Sequence, residues 1–146
     1  MIAVPPEFPA GLRLLLAHKQ NTSARLRFLR FAHGILAFAP LPALASVLDE
    51  PPSAPTVVHH PAQYLRAAEC WFELPPASLK LEPEFRARVD TSAGTVEIRL
   101  AHFTATDPPF ASAAARSARF IAITEARGCT PVELDLLRQA YETLIG

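Results

Sequence analysis

The sequence predicts an α+β domain: N-terminal helices, an antiparallel β-hairpin plus a third strand, and a C-terminal amphipathic helix packed on one face of the sheet. Three observations carry this expectation. Residues 84–100 alternate apolar and polar on both sides of a glycine-containing turn. Residues 131–145 repeat apolar side chains at three- and four-residue steps behind a capping signature. The strict strand–helix alternation of a fully parallel sheet is absent.

The elements follow in chain order. Pro9 opens a first helix at its N1 position, Leu12, Leu15 and Leu16 form its stripe, and Asn21 stops it. Thr22 or Ser23 caps a second helix that runs to about Phe38. At 100° per residue, Phe28, Phe31, Ile35, Leu36 and Phe38 fill one half of its wheel, and Arg27, Arg30 and His33 fall on the other. Residues 41–48 add a short further turn. Pro61 opens a helix with Tyr64, Leu65, Ala68, Trp71 and Phe72 on its apolar side, ended by Pro75-Pro76.

The hairpin comes next. Phe85, Ala87 and Val89 alternate with charged residues, as do Val96, Ile98 and Leu100. Thr91 to Gly94 form the turn, with Gly94 free to take a positive φ. Setting Asp90 opposite Thr95 pairs Val89 with Val96, Ala87 with Ile98 and Phe85 with Leu100. Arg88 then meets Glu97 on the outer face. Asp107, before Pro108-Pro109, reads as the cap of a short helix of small residues. Residues 119–124, RFIAIT, read as a covered strand. Thr130-Pro131-Val132-Glu133 is a capping box with proline at N1, and Leu136, Leu137, Ala140, Leu144, Leu134, Tyr141 and Ile145 share half of the last wheel. The whole chain, 1–146, reads as one domain in three segments: an apolar and basic segment 1–48, a proline-rich connector 49–60, and a mixed segment 61–146.

Composition excludes some classes. Half of the 146 residues are apolar and 19% are charged, which is incompatible with disorder over most of the chain. The net charge is zero but uneven: residues 1–48 hold five basic residues against Glu7 alone, a net of +4, and the remainder balances it at −4. The two halves are expected to neutralise each other across the fold or a dimer interface, so neither nucleic acid nor membrane is favoured as partner. Cys70 and Cys129 belong to no CxxC, which points to free thiols in a reducing, cytoplasmic compartment. Residues 31–48 carry no Asp, Glu, Lys or Arg. They read as buried core, the alternatives being a membrane contact or a mis-started secretion signal ending at Ala43-Leu44-Ala45. Pro40 and Pro42 would break a spanning helix.

For chemistry, the chain has no GxGxxG, GxxxxGK[ST], GxSxG or HExxH, so no cofactor and no metal are expected. His102 follows Val96, Ile98 and Leu100 on the core side of its strand, and with Asp107 it is the candidate general base. Trp71 and His102 are the candidate ligand-binding residues. Arg27, Arg30 and His33 form the candidate basic face. The functional expectation is a non-catalytic interaction or assembly module that forms a homodimer. One alternative is a small-molecule-binding domain or enzyme with a pocket between the sheet and the N-terminal helices. The second is weak nucleic-acid or membrane-surface binding through residues 22–38.

Overall fold

The computed structural model describes residues 8–20, 22–23, 25–42, 45–47 and 60–145. Among them are seven strands and three α-helices: β1 (Leu12–Gln20), β2 (Arg25–Arg30), β3 (Leu36–Ala37), β4 (Ser46–Val47), α1 (Pro61–Trp71), β5 (Leu79–Thr91), β6 (Gly94–Phe103), α2 (Phe110–Ala115), β7 (Arg119–Ile121) and α3 (Pro131–Ile145). The strands make one curled mixed sheet in the order β4-β5-β6-β1-β2-β7, with β3 also paired to β1. Only the β1–β6 pair is parallel. It runs from Leu12 opposite Glu97 to Ala17 opposite His102.

This overturns the expected N-terminal helices. Residues 12–20 and 25–30 are strands, and residues 41–48 contribute β4 rather than a helical turn. Asn21, Ala43, Leu44, Leu48 and the connector up to His59 lie outside the described residues. The physical reason is burial on both sides. Leu12, Leu14, Leu15, Leu16 and Ala17 are all fully buried, because β1 is a central strand with helices over each face. A strand covered twice shows a continuous apolar run instead of alternation, and such a run is indistinguishable by period from a buried helix.

Side-chain alternation divides the core in two. On one face Leu15, Ala17, Phe28, Val89, Ile98 and Leu100 pack under Leu136, Leu137 and Ala140 of α3. On the other, Leu12, Leu14, Leu16, Leu29 and Phe103 pack under Tyr64, Ala68 and Phe72 at α1 and Ala113 of α2. Helices therefore cover both faces, not one as expected. No helix among the described residues is long and apolar enough to cross a membrane.

The β5–β6 register pairs Asp90 with Thr95, Val89 with Val96, Ala87 with Ile98 and Arg88 with Glu97. Gly94 takes φ 112°, and the Thr91 hydroxyl donates to its carbonyl at 2.6 Å. The ladder shifts between Leu81 and Arg86, so Phe85 and Leu100 share a core cluster without being register partners. Pro83, which has no N–H to donate, lies in the shift. The face holding Arg88 and Glu97 is not an outer one: it is the α1 face, and the Glu97 carboxylate pairs at 3.6 Å with Arg99. The third strand, β7, is a three-residue strand at the end of the sheet path. The cap position of α2 is Pro109, with no side-chain cap, so Asp107 does not fill that role.

Candidate functional site

β1 pairs first with β2 and then, further along the same edge, with β3: Ala17 lies opposite Phe28, but Leu15 lies opposite Leu36. The chain between them must loop out. Phe31 and Gly34 close that loop by exchanging backbone hydrogen bonds of 2.7 and 3.2 Å. The His33 ring stacks on Phe31 at 5.3 Å, and its Nε2 donates to the Leu36 carbonyl at 2.6 Å.

The loop is tied to the start of α3 by one buried carboxylate. The capping box forms as expected: the Glu133 N–H donates to Thr130 Oγ1 at 3.2 Å, and the Thr130 N–H donates to Glu133 Oε1 at 3.0 Å. Glu133 Oε2 does a second job, accepting the Ile35 N–H at 3.0 Å from the far loop. Glu133 is only 8% exposed, so both oxygens exchange water for fixed donors. Gly34 sits against it with φ 139°, and a Cβ there would fall 2.1 Å from Oε2.

Arg13 fixes the next segment. Its Nε donates to the Ala39 carbonyl at 3.0 Å and a terminal nitrogen to the Pro40 carbonyl at 3.2 Å. Partial burial pulls its pKa below the ordinary arginine value. Between these two ties lies a cleft of about 500 Å³, lined by His33, Pro40, Leu41, Pro42, Ala45 and the first turn of α3 from Thr130 to Glu133. The size suits a ligand group. The wall is mostly proline and aliphatic, and β4, the first strand of the sheet path, leads away from it. Next to it, burial pushes the Cys129 thiol up, and Glu133 adds to that against the opposing Arg30. That is the wrong direction for a nucleophilic thiolate.

The expected site residues are scattered. His102 stands on the α3 face with Lys80 opposite, and its Nδ1 is 2.5 Å from Glu82 Oε1. The pair does not meet hydrogen-bond geometry. Asp107 is exposed and accepts the Gln20 amide at 3.0 Å. No hydrogen bond or ion pair links His102 to Asp107. Trp71 belongs to an aromatic cluster with Phe38 and Phe72, and the Arg116 guanidinium lies 4.8 Å over its ring.

Strand geometry also divides the basic face. Arg27 reaches the Phe110 ring on the α2 side at 5.7 Å. Arg30, three positions on, has the opposite parity and donates to the Glu125 carbonyl at 3.3 Å. It stands opposite Arg119 at a smaller cleft of about 350 Å³. His18 is fully buried in β1 with Nε2 2.8 Å from the Ala105 carbonyl. Among the described residues no three His, Cys, Asp or Glu side chains are grouped to hold a metal. The loop–α3 cleft itself was missed, although its capping box was visible, because the second partner of Glu133 comes from 98 residues away. No protein-family model matches the chain, and no curated protein matches its sequence.

Proposed function

We propose that this chain is a non-catalytic interaction module whose loop–α3 cleft takes an extended apolar segment of a partner protein. The observation that carries this reading is the state of Glu133. It is the carboxylate of the cleft wall, and three donors from Ile35 and Thr130 already occupy it. A general base needs a free lone pair facing substrate. What the wall still offers is contact with prolines, Leu41, Ala45 and Val132. The neighbouring β4 has β5 on one side and no further strand on the other among the described residues, so an extended segment can add to it. Two free cysteines support placing the module in the cytoplasm. The opposed directions of Arg27 and Arg30 argue against a nucleic-acid or membrane surface at residues 22–38.

A random-peptide library displayed on phage tests this. Apolar peptides should be enriched and bind the full chain, and Leu41→Asp should weaken them by at least about tenfold through an unpaired charge in an apolar wall. No enrichment, or equal binding to Leu41→Asp, would refute the reading.

A second observation favours self-association. Leu134, Tyr141 and Ile145 are 45%, 39% and 46% exposed, and they lie within about 40° of one another on α3. Arg138 stands in the same stripe with Asp135 and Glu142 as its own pairs. Two antiparallel copies of α3 would bury the apolar residues and let each Arg138 face the other's acids. Sedimentation at micromolar concentration should give a dimer that Tyr141→Asp dissociates. A monomer mass for the unmodified chain throughout would contradict it.

A further inference from the structure

The loop 31–34 stands between two clefts. His33 lines the large one, while Phe31 and Ala32 line the smaller one of about 350 Å³ with Arg30, Ser117, Ala118 and Arg119. The clefts also adjoin through the chain before α3. A Cβ on Gly128 would fall 3.2 Å from a terminal nitrogen of Arg30, and Thr130, two residues on, lines the large cleft. Two residues span at most about 7 Å, which puts the Arg30 guanidinium within about 12 Å of Thr130.

The smaller cleft gives the apolar one a basic end. Arg30 of β2 and Arg119 of β7 are register partners, so both side chains leave the same face of the sheet, and like charges directly opposite repel. The exposed Arg127 precedes Gly128 and adds a third positive charge nearby. No acid lies on β2, on β7, in the loop 31–34 or between α2 and β7. The acids that follow β7 are already engaged. Glu125 Oε1 accepts the Ala122 N–H at 2.8 Å, Glu133 accepts the Ile35 and Thr130 N–H groups at 3.0 Å each, and Asp135 pairs with Arg138. Arg30 donates to the Glu125 carbonyl at 3.3 Å. Among the described residues neither Arg30 nor Arg119 makes an ion pair.

We propose that the partner segment in the apolar cleft carries a flanking carboxylate, and that Arg30 and Arg119 receive it. This rests on the reading of the large cleft as a peptide groove and adds what the peptide must contain. An extended chain advances about 3.3 Å per residue, so about three residues separate the apolar anchor from the carboxylate. Guanidinium groups suit a carboxylate through their paired N–H donors. An Asp or Glu side chain and the segment's own C terminus share this chemistry. Apolar contact supplies the bulk of the affinity, and the arginines set the preference for an acidic flank.

The test is a fluorescence-anisotropy titration of the full chain with one phage-selected apolar peptide in four synthetic forms. Three have an amidated C terminus and carry glutamate, glutamine or lysine about three residues beyond each end of the apolar run. The fourth is the glutamine form with a free C-terminal carboxylate. At low salt the glutamate form should bind about fivefold tighter than the glutamine form, the size of one exposed ion pair, and the lysine form should bind weakest. Sodium chloride should shrink the difference. Arg119→Gln, at an exposed position, should bind the glutamate and glutamine forms equally, and Arg119→Glu should turn the preference toward lysine. A gain from glutamate alone assigns a side-chain carboxylate, and a gain from the free terminus alone assigns a C terminus. Equal binding of all four forms, or a preference that Arg119→Gln leaves intact, would overturn this inference while the peptide groove stands. Failure of every form to bind would overturn both.

Discussion

Gly34→Ala is expected to lower stability by about 3–5 kcal/mol. Two costs add. The backbone at φ 139° is one that a Cβ strains, at about 1–3 kcal/mol. The new carbon would fall 2.1 Å from Glu133 Oε2. The end of a glutamate is usually free to move aside, but this one holds the Ile35 N–H and the Thr130 N–H at 3.0 Å each. Moving it breaks a buried bond to a charged group, worth about 1.5–3 kcal/mol. Urea unfolding with an unchanged m-value should show the loss as a shifted midpoint. A loss below about 1 kcal/mol would mean that the carboxylate does not tie the loop to α3.

Leu14→Ala should cost about 2–5 kcal/mol, and Leu15→Ala should cost a similar amount. The neighbours point to opposite faces of β1, and both are fully buried, Leu14 beneath α1 and Leu15 beneath α3. An amphipathic helix with the stripe Leu12, Leu15 and Leu16 would leave Leu14 outside it, and its truncation would then cost less than about 0.5 kcal/mol. Equilibrium unfolding of the two variants separates the arrangements.

These residues show what could be read from the sequence and what could not. The β5–β6 register and the α3 capping box are local patterns, settled by neighbours in sequence and by a face that is apolar on one side. The sites of error are tertiary. LRLLLA reads alike as buried helix or twice-covered strand, and only the parallel pairing of Leu12–Ala17 with Glu97–His102, some 85 residues on, decides it. In β2 the alternation of Arg25, Leu26, Arg27 and Phe28 was a usable strand signal. It was outweighed by the apolar half-wheel that the same residues make with 31–38. That one misassignment carried the basic face with it, because a helix groups Arg27, Arg30 and His33 where a strand separates them. The His102–Asp107 pairing failed for a simpler reason: the bulge after Leu81 brings Glu82 to His102 first. The Arg86–Arg99 pair was invisible, since the two become neighbours only once the register is known.

The cleft as the working surface is tested most directly by mapping amide chemical shifts while a phage-selected apolar peptide is added to the full chain. Resonances of His33, Leu41, Ala45 and Val132 should move together and saturate with one peptide per chain, while those of Tyr64, Arg86 and His102 stay in place. Saturating shifts centred on β7, on α1 or on the exposed stripe of α3, with the cleft unmoved, would contradict the account.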